Sequence, residues 1–137
     1  MRNENMIAKY YRISHPTALM LALLVVTLLL LSCSNDNIAF NKGEQHYALG
    51  EYYQAATYYK KAYSRTSPKD KPKRALRAFK MGECYRHINY TQKALAAYQN
   101  AVRYKIQDST ALFQLARLQL KAGQYKQAAE NFQLYLQ

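Results

Sequence analysis

The pattern of apolar and polar positions changes character once along the chain. Residues 17–31, TALMLALLVVTLLLL, form an unbroken apolar run without a charge. Past residue 36 the apolar residues recur with the spacing of one helix face, and no stretch alternates as a strand would. Start and stop residues divide this second region. Gly50 and Gly123 read as helix stops. Asp70, with Pro72 in the turn after it, reads as a start, as does Asp108. Thr91 is a further candidate cap. The pattern predicts about six helices, at about 37–49, 51–65, Asp70 to His87, 91–105, Asp108 to Gly123 and 124–137. Loops of a few residues make each successive pair antiparallel. The expected fold class is all-α.

The helices repeat. GEYYQAATYYKKAY from Gly50, NYTQKALAAYQNAV from Asn89 and GQYKQAAENFQLYL from Gly123 align without gaps. The sixth place is Ala55, Ala94 and Ala128; the tenth is Tyr59, Tyr98 and Phe132. Ala94 and Ala128 are 34 residues apart, and Ala55 and Ala94 are 39 apart. The extra five fall in SRTSPKDKPKR, a Pro- and Lys-rich stretch between helices. The upstream halves also match, with Met81-Gly82 ahead of Tyr85, and Leu115-Ala116 in the same places of the third repeat. Gly43 keeps the small place of the first repeat, but Lys42 precedes it.

Period, small residues and aromatics together resemble the tetratricopeptide repeat (TPR) over nearly all of residues 37–137. The family Trp is absent, with Ala39, Ala78 and Leu112 in its place, and Tyr135 stands where the family has Ala. The resemblance implies a right-handed superhelix of three helix-turn-helix repeats at approximately 37–68, 75–107 and 109–137. Stacked hairpins share a continuous core, because one hairpin alone cannot bury its apolar face. It also implies that a peptide lies along the concave face of the first helices of each hairpin. One such place holds Phe40, Phe79 and Phe113. Nearby concave places are Glu44, Tyr47, Glu83, Arg86, Arg117 and Lys121. Phe rungs flanked by charges suit a partner segment with apolar anchors; the same Phe side chains also serve packing between helices.

The apolar run has the form of a secretory leader. Arg2, Lys9 and Arg12 precede it, and Ser32-Cys33 closes it. It is short for a membrane span of about 20 residues. Leu30-Leu31-Ser32-Cys33 resembles the bacterial lipobox, which implies cleavage of residues 1–32 and lipidation of Cys33, with 33–36 as a short linker. Ser34 after the Cys, by resemblance to lipoprotein sorting in Gram-negative bacteria, implies the outer membrane, periplasm-facing. The competing reading is an uncleaved apolar anchor. With Cys33 acylated, Cys84 is left without a disulfide partner, in a helical pattern that suits a buried thiol.

The net charge is +12. Without Arg2, Lys9, Arg12 and Glu4 the remainder has 17 basic and 7 acidic residues, and a charge of +10. Such a balance favours an anionic partner, and the leader directs that expectation to acidic protein or lipid headgroups, not nucleic acid. The charge concentrates in Lys60, Lys61, Arg65, Lys69, Lys71, Lys73, Arg74, Arg77 and Lys80, read either as a solvated face or as an electrostatic dock. No P-loop, GxSxG or HExxH occurs. His46 and His87 have no ligand spacing around them, and Glu83 with His87 reads as a polar pair one turn apart. No enzyme, cofactor, metal or small-molecule substrate is expected.

Lipobox, short linker and repeats with GECYR and GQYKQAAENFQLYL resemble the N-terminal region of Bacteroidetes OmpA-like peptidoglycan-associated lipoproteins of the type IX secretion and gliding machinery. That implies an interaction scaffold in a cell-envelope assembly. The alternative is a TPR lipoprotein that assists outer-membrane protein assembly. Solenoids close on a polar capping helix, whereas Phe132, Leu134, Tyr135 and Leu136 crowd the last helix, so a longer native chain is expected.

Overall fold

The computed structural model describes residues 18–27 and 35–137. It divides into two compact units, Met1–Ser34 and Asn35–Gln137. In the first, residues 18–27 are helical and their large apolar side chains are exposed. Ser32 and Cys33, with the expected cleavage and lipidation, lie outside the described residues. Among the described residues no helix is long and apolar enough to cross a membrane.

The second unit is six helices: α1 (Asn35–Ala48), α2 (Tyr52–Arg65), α3 (Lys71–His87), α4 (Thr91–Arg103), α5 (Thr110–Lys121) and α6 (Tyr125–Tyr135). Each packs mainly on its neighbour in the chain, so α1/α2, α3/α4 and α5/α6 are hairpins in series. α1, α3 and α5 are the first helices of each hairpin, α2, α4 and α6 the second. The expected elements are all present. One boundary needs correction, since α1 takes in Asn35 and Asp36, which the sequence reading gave to a linker. The cause is tertiary: Arg77 on α3 reaches Asp36 Oδ2 at 2.8 Å and Asn37 Oδ1 at 3.0 Å, which holds the first turn in place.

The turn inside each hairpin uses one device. After α1, Gly50 sits at φ 74°, Glu51 N–H donates to His46 O at 2.9 Å, and Gly50 N–H to Tyr47 O at 3.0 Å. This is a Schellman closure, in which a left-handed residue lets the chain reverse and satisfy the last carbonyls. Asn89 (φ 58°) and Gly123 (φ 75°) do the same after α3 and α5. The three residues that open the aligned segments are therefore those that reach positive φ inside the hairpins, which Gly and residues such as Asn accept readily; Lys105 (φ 59°) makes the same closure after α4, between hairpins. The starts vary more. Asp70 accepts from Lys73 N–H at 3.2 Å. Asp108 Oδ1 accepts from the Thr110 N–H at 2.9 Å and the Thr110 hydroxyl at 2.6 Å, but Asp108 is not the cap of α5: that place falls to Ser109, whose side chain makes no capping bond. Thr91 does not cap α4. It is already the first helical residue, because the turn at Asn89 leaves the cap place to Tyr90, whose side chain makes no capping bond.

The core follows the repeat register. Ala55, Ala94 and Ala128 are buried, and so are Tyr59 and Tyr98. Tyr59 shares a cluster with Ala55, Ala56, Met81, Cys84 and Ala97; Tyr98 shares one with Ala94, Leu95, Ala111, Leu115 and Leu118. Each ring thus joins its own hairpin to the next. The small residue upstream makes room for it. A Cβ on Gly43 would stand 2.6 Å from Tyr59 Cε1, and one on Gly82 3.0 Å from Tyr98 Cδ1.

Two effects oppose each other at Gly43. Alanine would gain up to about 1 kcal/mol of helix propensity. The ring it meets cannot retreat, because Tyr59 is fully buried and its hydroxyl is bonded to Glu44 Oε1 at 2.6 Å. Overpacking of that kind costs about 1–3 kcal/mol. Gly43→Ala is therefore expected to lower the urea midpoint. A midpoint at or above that of the parent would show that the ring has freedom to move.

Candidate functional site: the first-helix face and its charges

The residues singled out for peptide binding lie on α1, α3 and α5. The three Phe side chains are half-buried, each against the aromatic of its own hairpin. Phe40 and Tyr59 have ring centroids 5.5 Å apart, Phe79 and Tyr98 6.1 Å, and Phe113 and Phe132 6.0 Å. Phe113 also meets Tyr135 at 5.3 Å. Each Phe therefore packs on a ring of its own hairpin and stays partly exposed, and the Arg77 guanidinium lies over Phe40, 5.5 Å from its centroid.

The carboxylates have structural partners. Glu44 accepts from the Tyr59 hydroxyl and pairs with Lys80 Nζ at 3.0 Å, which ties α1 to α3. Glu83 accepts from the Tyr98 hydroxyl and from Arg86 Nη2, the latter at 2.7 Å. Burial and the bonded carboxylate push both Tyr hydroxyls well above the usual phenol range, so they stay protonated and donate to the carboxylates. His87 does not pair with Glu83. It stacks on Tyr52, with centroids 4.1 Å apart and planes 6° from parallel, because Arg86 and Tyr98 already occupy that carboxylate. Tyr47 packs edge-on against both Tyr52 and His87.

The third repeat differs. Phe132 has no hydroxyl, and the place of Glu44 and Glu83 is taken by Arg117. Arg117 is exposed, lies over the Phe113 ring at 5.6 Å and reaches Gln114 Oε1 at 3.3 Å. Lys121, one turn on, is exposed too.

The basic run of residues 60–80 is not one surface, which corrects the sequence reading. Arg77 is 3% exposed and bound to Asp36. Arg74 is clasped between Tyr63 and Tyr104, at 4.1 and 5.1 Å from their centroids, and donates to Thr66 O at 3.0 Å. It thereby braces the five-residue insertion. Lys80 is held by Glu44, and Lys73 by Asp70 at 3.0 Å. Lys60, Lys61, Arg65, Lys69 and Lys71 remain exposed. The side chains spent on internal contacts could not be told from the others by sequence, since their partners lie up to 41 positions away.

Cys84 is buried among Tyr59, Met81 and Ala97. Burial first, and then the nearby Glu83 carboxylate, push its thiol up to about 12. The thiolate is the reactive form, so Cys84 is expected to resist iodoacetamide at pH 8 in the folded chain and to react once urea unfolds it. Rapid labelling in the folded state would contradict this placement. Among the described residues no group of His, Cys, Asp and Glu could hold a metal ion.

Three helix hairpins in series, each closed by a left-handed residue and cored by alanine and a tenth-place aromatic, define a TPR solenoid, a fold of the protein-interaction scaffold type. The chain belongs to the SusR N-terminal TPR domain family, whose model matches residues 7–134. Among solved structures it is similar to the TPR domain of Arabidopsis OM64, at 16% identity and a TM-score of 0.63, covering 77% of this chain and 83% of that one. At that identity the likeness shows the fold. A comparison with well-characterised protein sequences finds no match.

Proposed function

We propose that the chain is a membrane-anchored TPR scaffold in a bacterial cell envelope, lipidated at Cys33 on the outer membrane and facing the periplasm, where it grips a segment of a partner protein along α1, α3 and α5. The observation that carries this reading is the recurrence of Phe40, Phe79 and Phe113 at one repeat place, each packed on an aromatic of its own hairpin and still partly exposed. Apolar side chains half-seated in a rigid groove make good anchors for a partner. The narrower assignment to type IX secretion rests on the resemblance of lipobox and repeats to that group. The second reading of the leader, an uncleaved anchor, has one observation in its favour. The family match begins at residue 7, so the apolar run belongs to what the family model spans.

The test is a photo-crosslinking residue placed at Phe79 in the intact chain, irradiated in native membranes. A discrete adduct is expected from Phe79, and none from Gln99, which is exposed on α4. Phe79→Ala should weaken capture of that adduct's partner by more than about 1 kcal/mol, with helicity preserved by circular dichroism. Equal labelling from Phe79 and Gln99, or undiminished capture by a folded Phe79→Ala chain, would return these Phe residues to packing alone.

A further inference from the structure

Two arginines knit one end of the solenoid together. Arg77 ties the start of α3 to Asp36 at the start of α1. Arg74 ties it to Tyr63 near the end of α2 and to Tyr104 just past the end of α4. The starts of α1 and α3, the ends of α2 and α4 and the link between α2 and α3 therefore share this end. Lys61 and Arg65 stand on the last two turns of α2, Lys69 and Lys71 at the link, and Arg103 and Lys105 at the end of α4; all six are exposed.

The charge here is one-sided. Of the carboxylates at this end, Asp36 is taken by Arg77 and Asp70 by Lys73. Asp108 is exposed and accepts from Thr110. Among the described residues, Lys61, Lys69, Lys71, Arg103 and Lys105 have no carboxylate within ion-pair reach. A cleft of about 360 Å³ opens between the start of α3 and the link after α4, lined by Pro72, Leu76 and Ile106 together with Lys105 and Asp108.

We infer that this end of the solenoid rests on the phosphate groups of anionic lipid in the membrane that anchors the chain. The orientation rests on the anchored reading above and adds which end meets the lipid, and through what chemistry. Chain length decides the end. Two residue steps separate Cys33 from Asn35, a span of at most about 7 Å, which is within one Debye length at physiological salt. The uncleaved reading of the leader leads to the same end, because the apolar run closes at Leu31, four steps from Asn35, or at most about 14 Å. The opposite end, with the turns at Gly50, Asn89 and Gly123, exposes Tyr53, Tyr90 and Tyr125. Such rings suit a membrane interface too, but the 14 residues of α1 set that end about 21 Å farther along the helix. Each cation held near an anionic surface strengthens attachment about fivefold. Apolar walls beside a cation, as in the cleft at Lys105, match the boundary where lipid phosphate meets acyl chain.

The experiment places the full chain, as isolated from membranes, in vesicles of phosphatidylcholine alone or of phosphatidylcholine and phosphatidylglycerol in equal parts. An uncharged reagent acetylates the lysines, and mass spectrometry reads the rate at each. Lys61, Lys69, Lys71 and Lys105 are expected to react about fivefold or more slowly in the anionic vesicles than in the neutral ones, and added salt should remove the difference. Lys93 and Lys126, exposed toward the other end, should agree within about twofold between the two. Lys69→Gln with Lys71→Gln should speed Lys61 and Lys105 in the anionic vesicles by about twofold or more. Lys93→Gln with Lys126→Gln, an equal loss of charge, should leave them unchanged. Equal effects from both pairs would reduce the protection to net charge and overturn the orientation, as would slowing of Lys93 and Lys126 in place of the four. Equal rates in both vesicles would overturn the lipid assignment. So would slowing of the four by blocked hexaglutamate in neutral vesicles without slowing by phosphatidylglycerol, which would make this end a surface for acidic protein. The anchor fails separately. A chain without lipid on Cys33 that still shows the protection loses the lipobox and keeps the orientation. A lipidated chain without the protection keeps the anchor and loses the orientation.

Discussion

Tyr98→Ala is expected to cost about 3–5 kcal/mol, the range for removing a fully buried aromatic from a packed core. The ring touches the place of the missing Cβ on Gly82, belongs to the cluster of Ala94, Leu115 and Leu118, and donates its hydroxyl to Glu83. Its removal takes material from both sides of the junction between the second and third hairpins. Tyr98→Phe separates the two contributions, because it keeps the ring and strands the Glu83 carboxylate, which is 14% exposed and still paired with Arg86. That variant should lose about 1–2 kcal/mol. Urea unfolding followed by helicity, on parent and both variants, gives the comparison. Equal stabilities for Tyr98→Phe and parent would mean that Arg86 alone satisfies Glu83. A small loss for Tyr98→Ala would mean that the junction is not cored by this ring.

The other large effect concerns the anchor. Wild-type chain isolated from membranes is expected to begin at Cys33 and to carry thioether-linked and amide-linked acyl chains, since more than one chain is needed for stable attachment. Cys33→Ser should abolish incorporation of labelled fatty acid and accumulate the uncut precursor. Intact mass spectrometry reads both. A wild-type N-terminus still at Met1 or Met6, without lipid, would sink the lipobox reading and establish the apolar run as a permanent anchor.

The fold was open to the sequence because its rules are local or periodic. Gly50, Asn89 and Gly123 mark the turns through backbone conformation alone, and the alanine and aromatic places recur at the period of the hairpin. Those features needed no knowledge of which residues meet across the solenoid. The candidate site was less legible. Phe40, Phe79 and Phe113 could be aligned, but whether each packs or faces outward depends on the ring beneath it. In the structure each packs on such a ring and keeps part of its surface exposed.

Charge was the least readable property. In the sequence Arg74, Arg77 and Lys80 look the same as Lys60, Lys61 and Lys69. Tertiary structure gave Arg77 to Asp36, Lys80 to Glu44 and Arg74 to a pair of tyrosines, and left the others in solvent. Composition fixes the total charge, and helical periodicity fixes the face on which each charge starts. Whether a charge is neutralised depends on groups on other helices, often more than 30 residues away, and only packed hairpins bring those within 4 Å. The sequence alone therefore determined the repeat, its turns and its core residues. The folded chain decided which cations remain exposed, because direct ion pairs need contact distances and those exist only after the helices stack.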